Sequence, residues 1–259
     1  MNRQPAVAGT FYPSDPEQLH QMLSHFLSDY EPVTHVPKAI IAPHAGYIYS
    51  GSIAASAYSR LKDARERITR VVIIGPSHRV GFNGLALSNA LSFITPLGSV
   101  LLDQEALNTV SHLPFVDYLE EAHIYEHSLE VQLPFLQEML SDFKIVPIVA
   151  GDASPQEVSQ VLEVLWGDDK TLIVISSDLS HYHDYATARK LDNETSDIIE
   201  HLRYEQLEPD SACGKVPVSG LLKFAKENNL SIKTIDLRNS GDTAGDKNRV
   251  VGYGAYVIE

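Results

Sequence analysis

The chain has 259 residues, and its 44% hydrophobic content is enough to bury a sizeable core in a globular protein. Its formal net charge of -14 argues against nucleic acid or an anionic membrane as the main partner, because both would repel it. No apolar run approaches the ~18 residues of a membrane span and no apolar signal segment follows Met1, so we expect a cytoplasmic protein. A single cysteine excludes an internal disulfide bond.

The first predicted helix follows an apolar and aromatic N-terminal arm that we expect to be ordered. Residues 14–17 have the form of a capping box, and apolar side chains recur at helical spacing as far as Leu27. Residues 31–37 contain two prolines and are predicted to be a linker. The linker leads to residues 40–42, a short apolar run that ends at Pro43-His44 and a glycine turn.

Two later apolar runs have the same design, because each stops at polar turn residues and a histidine. Residues 71–75 lead to His78, and residues 172–175 lead to Asp178 and His181. Runs that are short and do not alternate are typical of strands buried on both faces of a mainly parallel sheet. Each histidine therefore lies just beyond the carboxyl end of a strand, at the edge where open α/β sheets bind ligands.

The segments around these strands supply the predicted helices and further strands. Small residues at positions 50–58 predict a crossover helix close to the sheet, and residues 127–136 predict an amphipathic helix that tolerates Pro134 only near its first turns or at a kink. The central Pro147 of another apolar run indicates an edge or irregular strand. The other predicted elements are an edge strand or hairpin at 81–89, a loop with a short extended piece at 93–100, helices at 103–112, 154–166, 184–202 and 218–228, and strands at 232–237 and 250–258.

These patterns predict an α/β fold. If the three strands that carry histidines share a site, they also share a sheet, so we predict a single domain over residues 1–259 with a central, mostly parallel or mixed sheet flanked by helices. The imidazoles of His44, His78 and His181 are then expected to meet in one pocket. Neutral imidazoles that converge in this way suit a divalent transition metal such as zinc, iron or copper.

Three further residues could act beside these histidines. Cys213 would add a soft thiolate ligand, and Gly214 allows a close approach of the backbone, but a free cysteine is more commonly a small buried core residue. Asp178 and Glu126 could each orient an imidazole or complete a coordination sphere, and Asp178 could equally cap a helix. A cysteine protease or acyltransferase that uses Cys213 with a histidine base is a further alternative, but it would leave three histidines without a role. The chain lacks the motifs of serine hydrolases, P-loop proteins and dinucleotide-binding proteins, and it has no C-x-x-C or H-E-x-x-H.

The motifs that contain these residues together resemble the Memo family, whose bacterial and archaeal members are also called AmmeMemoRadiSam system protein B. The resemblance runs from residues 6–13 to residues 252–254, with the motifs in the order of the family. The motifs are Ala42-Pro43-His44-Ala45-Gly46-Tyr47, Gly75-Pro76-Ser77-His78, Glu126-His127-Ser128-Leu129-Glu130, Ser176-Ser177-Asp178-Leu179-Ser180-His181 and Ala212-Cys213-Gly214.

The resemblance implies a fold similar to that of the LigB-type class III extradiol dioxygenases, and it implies a set of site residues. His44, His78 and Cys213 match the metal-binding positions of the family. Asp178 and His181 match residues of the same pocket and are the implied catalytic residues, with His181 at the place of an acid/base histidine. The further pocket candidates are His127, Glu126 and Tyr47.

The thiolate of Cys213 is the main departure from the dioxygenases, which complete an iron site of two histidines with a carboxylate. A thiolate is softer and donates more electron density, so it favours copper or zinc and alters the redox behaviour of iron. Ring cleavage is therefore not implied. Fe(II) or copper is the favoured cofactor, with zinc as an alternative.

Two functions from different classes are open at this point. The first is a metal-dependent oxidoreductase of unknown substrate, in which His181 moves protons. The second is a non-catalytic protein that binds a peptide or a small molecule in the same pocket, since eukaryotic members of the family are associated with phosphotyrosine peptides and cell motility. A role in a modification pathway with a radical SAM enzyme as partner is implied by the family name alone and could coexist with either function.

Overall fold

The computed structural model describes residues 1–28 and 35–259, so most of the predicted linker at 31–37 lies outside the described residues. The α-helices of the described residues are Pro16–Phe26 (α1), Tyr47–Tyr58 (α2), Gln104–Val110 (α3), Glu121–Ile124 (α4), Leu133–Met139 (α5), Pro155–Leu165 (α6), Tyr185–Glu200 (α7) and Lys215–Glu227 (α8). The strands are Asn2–Arg3 (β1), Ala39–Ala42 (β2), Arg70–Pro76 (β3), Leu85–Leu87 (β4), Ser92–Thr95 (β5), Gly98–Leu101 (β6), Val116–Tyr118 (β7), Lys144–Ala150 (β8), Thr171–Ser176 (β9), His181–His183 (β10), Ile232–Asn239 (β11) and Val250–Ile258 (β12). None of the helices in the described ranges has both the length and the apolar character that crossing a membrane requires.

A mixed sheet forms the centre of the fold. Its strand order is β10-β12-β2-β9-β3-β8-β4-β7, and β11 also pairs with β12. The strands β2, β9, β3 and β8 run parallel, whereas β12 is antiparallel to β2 and β4 is antiparallel to β8. Helix α2 packs against β2, β11 and β12, and α8 packs against β3 and β9. The predicted class, a single α/β domain with a mixed central sheet flanked by helices, is confirmed.

The central strands are apolar throughout because they are buried on both faces. Every residue of β2 and β9 is buried, and so is every residue of β3 after Arg70. This double burial explains why the sequence of these strands does not alternate. Since the three strands are parallel, their carboxyl ends meet at one edge of the sheet, which brings residues 43–44, 77–78 and 177–181 together.

Three predictions about strands are wrong. Residues 93–100 are not a loop, because β5 and β6 form a hairpin that joins β1 in a separate three-stranded sheet. Strand β4 is not at the edge, since β7 pairs with its outer side. The strand of Pro147 lies inside the main sheet between β3 and β4. Its ladder with β4 begins only at Ile148, so no residue of β4 lies opposite the proline, which has no N–H to donate.

The helix predicted at residues 127–136 begins later than expected. Its first residues form a turn, which is followed by a 3-10 turn at Glu130–Gln132 and then by α5. Pro134 lies in the first turn of α5, where its missing N–H costs no helical hydrogen bond. The first helix also differs in its start, because Asp15 rather than Ser14 caps α1.

Candidate metal centre

A pocket of about 750 Å³ opens at the carboxyl edge of the central strands. His44 follows β2, His78 follows β3, and His181 is the first residue of β10, which comes shortly after β9. All three line this pocket, together with Cys213, which lies just before α8. The structure thus places the three histidines that close the apolar runs, and the single cysteine, around one space.

His44, His78 and Cys213 form a group of three donors. The ligand atoms that they offer all lie within 4.8 Å of one another, and Nε2 of His44 lies 3.2 Å from Sγ of Cys213. The rings of His44 and His78 meet edge to face, with centroids 5.2 Å apart. A metal with bonds of about 2.0–2.3 Å needs donors roughly 3–4 Å apart, so a small inward movement would close the group around an ion.

Glu126 fixes the ring and the backbone of His78. Its buried carboxylate accepts the backbone N–H of His78 at 2.6 Å and the ring Nδ1–H at 2.9 Å. Burial alone would raise the pKa of the Glu126 carboxyl, but the hydrogen bonds from His78 and from nearby backbone N–H groups lower it to about 2. Because an ionised carboxylate can only accept, Nδ1 carries the proton and Nε2 is left with a lone pair for a metal.

Both carboxylate oxygens of Glu126 accept hydrogen bonds. Besides the two donors of His78, the carboxylate accepts the backbone N–H groups of His127 at 2.8 Å and Ser128 at 2.9 Å. Three of these four donors bond to Oε1, and the fourth, the backbone N–H of His78, bonds to Oε2. The donor atoms of His78, Glu126 and His127 also lie within 4.8 Å of one another, and in this structure the Glu126 carboxylate orients the ring of His78.

His44 is the most buried of the ring donors. Its Nδ1 lies 2.8 Å from the hydroxyl of Ser176, and its backbone N–H donates to the Asp178 carboxylate at 2.8 Å. Burial, with a smaller effect of the nearby His78, lowers the pKa of the His44 imidazole to about 3. The ring is therefore neutral near pH 7, as a metal ligand must be.

Cys213 is held against the loop that follows β9. Its Sγ accepts the backbone N–H of Asp178 at 3.2 Å, and its own N–H donates to the Asp178 carbonyl at 3.2 Å. Burial and the negative charge of Asp178 raise the pKa of the Cys213 thiol far above its usual value. Without an ion the sulfur is thus a neutral thiol, and binding a transition metal would release its proton. Two neutral imidazoles and one thiol form a donor set that fits such a metal.

Gly214 makes the position of Cys213 attainable. A Cβ atom at Gly214 would lie 2.6 Å from the Ser177 side chain and 2.7 Å from the Ser176 carbonyl oxygen. Only glycine therefore lets the start of α8 approach the end of β9 this closely. The expected close approach of the backbone is present.

Asp178 and His181 lie beside the three donors. Burial raises the pKa of the Asp178 carboxyl, and the N–H bond from His44 offsets only part of this effect. His181 is half-buried on the wall of the pocket. No helix begins at Asp178, because β10 follows it, so the alternative prediction of a helix cap is wrong.

His127 lies closer to the donor rings than its place in a predicted helix indicated. Its ring stacks on His78 with centroids 4.6 Å apart and meets His44 edge to face at 5.5 Å. Burial is the main cause that lowers its pKa to about 4, with a smaller effect of the nearby His44. Tyr47 does not belong to the pocket. Its ring is buried in the core, and its hydroxyl donates to the Val131 carbonyl at 2.7 Å, so the prediction of a pocket role for Tyr47 is wrong.

The aromatic and cationic walls of the pocket were not predicted from the sequence. Phe11 from the N-terminal arm packs against His127 at 4.8 Å, and Tyr49 lines the wall two residues beyond Tyr47. Arg249 lies 4.9 Å above the ring of Tyr182. Tyr182 has a φ of 63°, a left-handed conformation that is rare for a bulky residue. Its position between His181 and His183 was the one feature of the sequence that pointed to this wall of the pocket.

The N-terminal arm is anchored beneath this site by a buried ion pair. Arg3 and Glu130 are 5% and 0% exposed, and their charged atoms lie 2.6 Å apart. Arg3 also donates to the backbone carbonyls of Glu126 at 2.5 Å and His123 at 2.8 Å. The arm therefore secures the loop that carries Glu126, and through it the orientation of His78.

Comparisons with known proteins agree with this architecture. A family model described as Memo-like protein matches residues 3–257. A MEMO1 family protein of Aquifex aeolicus (strain VF5) is 39% identical over 263 residues, which cover 97% of each chain. Another, from Sulfolobus acidocaldarius, is 39% identical over 280 residues, which cover 98% of each chain. A crystal structure of an uncharacterized protein from Escherichia coli K12 superposes with a TM-score of 0.56 at 14% identity over 86% of this chain and 100% of that one, a likeness of fold alone.

Proposed function

The chain belongs to the Memo-like family, and from this premise we propose that it is a metal-dependent oxidoreductase whose metal is held by His44, His78 and Cys213. One observation carries the proposal. Three donor atoms within 4.8 Å of one another lie in a pocket large enough for a substrate, and both imidazoles have Nδ1 engaged so that Nε2 keeps a lone pair for a metal.

The donor set supports iron or copper as the metal, with zinc as the alternative. A thiolate with two imidazoles is a soft set that suits copper and zinc, and a facial set of three ligands with open positions is also used by non-haem iron. A bound iron or copper ion would supply one-electron redox chemistry. The protein supplies the neutral His44 ring, the Asp178 N–H that holds the sulfur, and a pocket walled by aromatic side chains.

His181 is proposed to transfer protons to or from the substrate. It lies on the pocket wall and is half-buried, so it can contact both a substrate and water. Asp178 is proposed to bias that transfer, because its buried carboxylate faces several imidazoles and its charge stabilises their protonated forms. A positioned acid/base group of this kind contributes about 10²- to 10⁴-fold to a rate.

Oxygen uptake tests the redox part of the proposal. Protein loaded with Fe(II) or copper and freed of excess metal is supplied with ascorbate as the electron donor, and dioxygen consumption is compared with that of the same metal held by a chelator. We expect uptake above the chelator control and a fall of at least about tenfold in His181→Gln, with metal content unchanged. His183→Gln is the matched control, since His183 lies two residues away but does not line the pocket. Uptake no faster than the chelator control with either metal would contradict redox catalysis.

The second candidate function is non-catalytic binding of a peptide or a small molecule. The size of the pocket supports this function, and so does its aromatic wall, which includes Tyr49 and Tyr182. The guanidinium of Arg249 lies over the ring of Tyr182 and adds a positive charge to this wall. In this case the metal, if bound, would serve as a structural or recognition element. The two functions separate in the oxygen-uptake assay, because only an oxidoreductase would turn over and lose that turnover in His181→Gln at unchanged metal content.

A further inference from the structure

Ser176 and Gln132 lie directly behind His44, away from the pocket, and both are fully buried. The Ser176 hydroxyl lies 2.8 Å from Nδ1 of His44 and 2.8 Å from the side-chain amide of Gln132. Neither residue can contact a metal or a substrate. Their hydrogen bonds nevertheless decide which nitrogen of His44 carries the proton.

The orientation of the Gln132 amide is set by its two outer neighbours. One end of the amide lies 3.0 Å from the Pro43 carbonyl, which can only accept, so this end is the NH₂ group. The other end is the oxygen, which accepts the hydroxyl of Tyr58 at 2.7 Å. The amide therefore donates to Ser176 and cannot accept from it.

The single proton of the Ser176 hydroxyl is already committed. The carbonyl of Ser128 lies 2.6 Å away and can only accept, so the hydroxyl donates to it. Toward Gln132 and His44 the hydroxyl can then act only as an acceptor. Nδ1 of His44 must carry a hydrogen to complete this bond, and Nε2 keeps its lone pair on the side of Cys213.

We propose that Ser176 and Gln132 are positioning residues that lock His44 in the Nδ1–H tautomer and so hold Nε2 ready for a metal. The consequence for metal affinity rests on the proposed function, whereas the tautomer is a property of the metal-free protein. Nothing in an apolar strand such as β9 requires a buried hydroxyl at its last residue. The role in orienting His44 accounts for the serine.

One short segment orients both histidines. Glu126 receives the ring proton of His78, and the backbone carbonyl of Ser128, two residues later, receives the proton of Ser176. Within this segment the backbone N–H of Ser128 donates to the Glu126 carboxylate at 2.9 Å, which fixes the two residues relative to each other. Gly75 permits this arrangement, because a Cβ there would lie 2.8 Å from the hydroxyl of Ser128. The two rings are thus held by different groups, an ionised carboxylate for His78 and a neutral hydroxyl for His44.

The tautomer of His44 is measured in the native, metal-free protein. Nitrogen NMR of protein with ¹⁵N-labelled histidine at neutral pH separates protonated from unprotonated ring nitrogens, and the spectrum of His44→Gln assigns the His44 signals. We expect Nδ1 of His44 to be protonated and Nε2 to be unprotonated. The opposite tautomer, or a mixture of the two, would overturn the proposal without reference to any metal.

Zinc affinity measures the consequence for the site. Competition with a chromophoric chelator compares Zn²⁺ binding by the native protein with Ser176→Ala and Gln132→Met, and circular dichroism checks that each variant is folded. We expect both variants to bind Zn²⁺ about 10- to 100-fold more weakly, the usual cost of losing an outer partner of a metal-binding histidine. Ser219→Ala is the control, since Ser219 is a buried serine of α8 whose hydroxyl has no hydrogen-bond partner among the described residues.

The outcomes distinguish the two proposals. Affinities of both folded variants within twofold of the native value would overturn the positioning role. A native protein that binds no Zn²⁺, iron or copper would instead refute the proposed function, and the NMR measurement would still decide the tautomer. If both variants fail to fold, the tautomer in the native protein also decides the proposal.

Discussion

Nε2 of His44 lies 3.2 Å from Sγ of Cys213, although 169 positions separate the two residues in the chain. Two parallel strands and one helix bring them together, because His44 leaves the carboxyl end of β2 and Cys213 precedes α8, which packs against the neighbouring strand β9. Both groups are neutral without a metal. The contact is therefore a preformed pair of donors rather than an ion pair.

The close packing around Gly214 predicts a specific loss of metal binding. In Gly214→Ala the new methyl group would overlap the Ser177 side chain and the Ser176 carbonyl, so we expect the backbone that carries Cys213 to shift. We expect Zn²⁺ affinity to fall at least about tenfold and stability to fall by about 1–3 kcal/mol, the usual cost of overpacking. Chelator competition and urea unfolding measure the two effects. Gly81→Ala is the control, because no atom lies within 4 Å of its added Cβ; an equal loss in both variants would argue against the packing explanation.

The buried ion pair of the N-terminal arm predicts a large loss of stability. Arg3→Met leaves the Glu130 carboxylate buried without its cationic partner, and breaking such a pair costs about 3–5 kcal/mol. The free energy of unfolding in urea measures the effect. Lys233→Met is the control for an exposed pair, because the ion pair of Lys233 with Glu259 is exposed and should contribute less than about 1 kcal/mol. A loss for Arg3→Met as small as that control would contradict the anchoring role.

The buried histidines predict a stability that falls with acid in the metal-free protein. Burial lowers the pKa of His44 to about 3 and the pKa values of His123 and His127 to about 4, against an ordinary value of 6.5 for a histidine. Since the folded pKa values are depressed, the unfolded chain binds more protons below pH 6.5. Their contribution to stability is thus complete above that pH and is lost as the pH falls toward 4 and 3.

Each of these histidines contributes a slope of up to about 1.4 kcal/mol per pH unit in its window. Urea unfolding between pH 6.5 and 4.5 in the presence of a chelator measures the sum. His123→Gln should remove about a third of the slope, because His123 is buried apart from the three metal donors. The control is His20→Gln, which changes an exposed histidine of α1 and should leave these three contributions in place. A slope in His123→Gln equal to that of the native protein would contradict the neutral buried state of His123.

The strand ends could be predicted because their chemistry is local. An unalternating β-branched run that stops at a proline or serine before a histidine specifies a buried parallel strand that ends at the edge of the sheet, as before His44 and His78. The wrong predictions concern pairing. The interior place of Pro147 depends on where the ladder with β4 begins, and the core position of Tyr47 depends on the helix turn that aims it at Val131. No local pattern contains that information.

The position of Cys213 in the site likewise could not be predicted from the local residue pattern. Residue pattern alone favours a core position for it, and the family resemblance points to the pocket, where the structure places it beside His44. Its position depends on the approach of α8 to β9, which Gly214 permits but does not specify. Ser176 was visible as a polar residue at the end of an apolar strand, yet its role follows only from partners on other loops, Ser128 and Gln132.

Metal content is the most direct test of the central claim, that His44, His78 and Cys213 hold a transition metal. Protein prepared anaerobically is analysed for iron, copper and zinc beside His44→Ala and Cys213→Ser, with Ser219→Ala as a folded control. We expect close to one metal ion per native chain and per control chain, and a loss of most of it in the two ligand variants. Metal content that is unchanged in both His44→Ala and Cys213→Ser, or a native protein without metal, would contradict the claim.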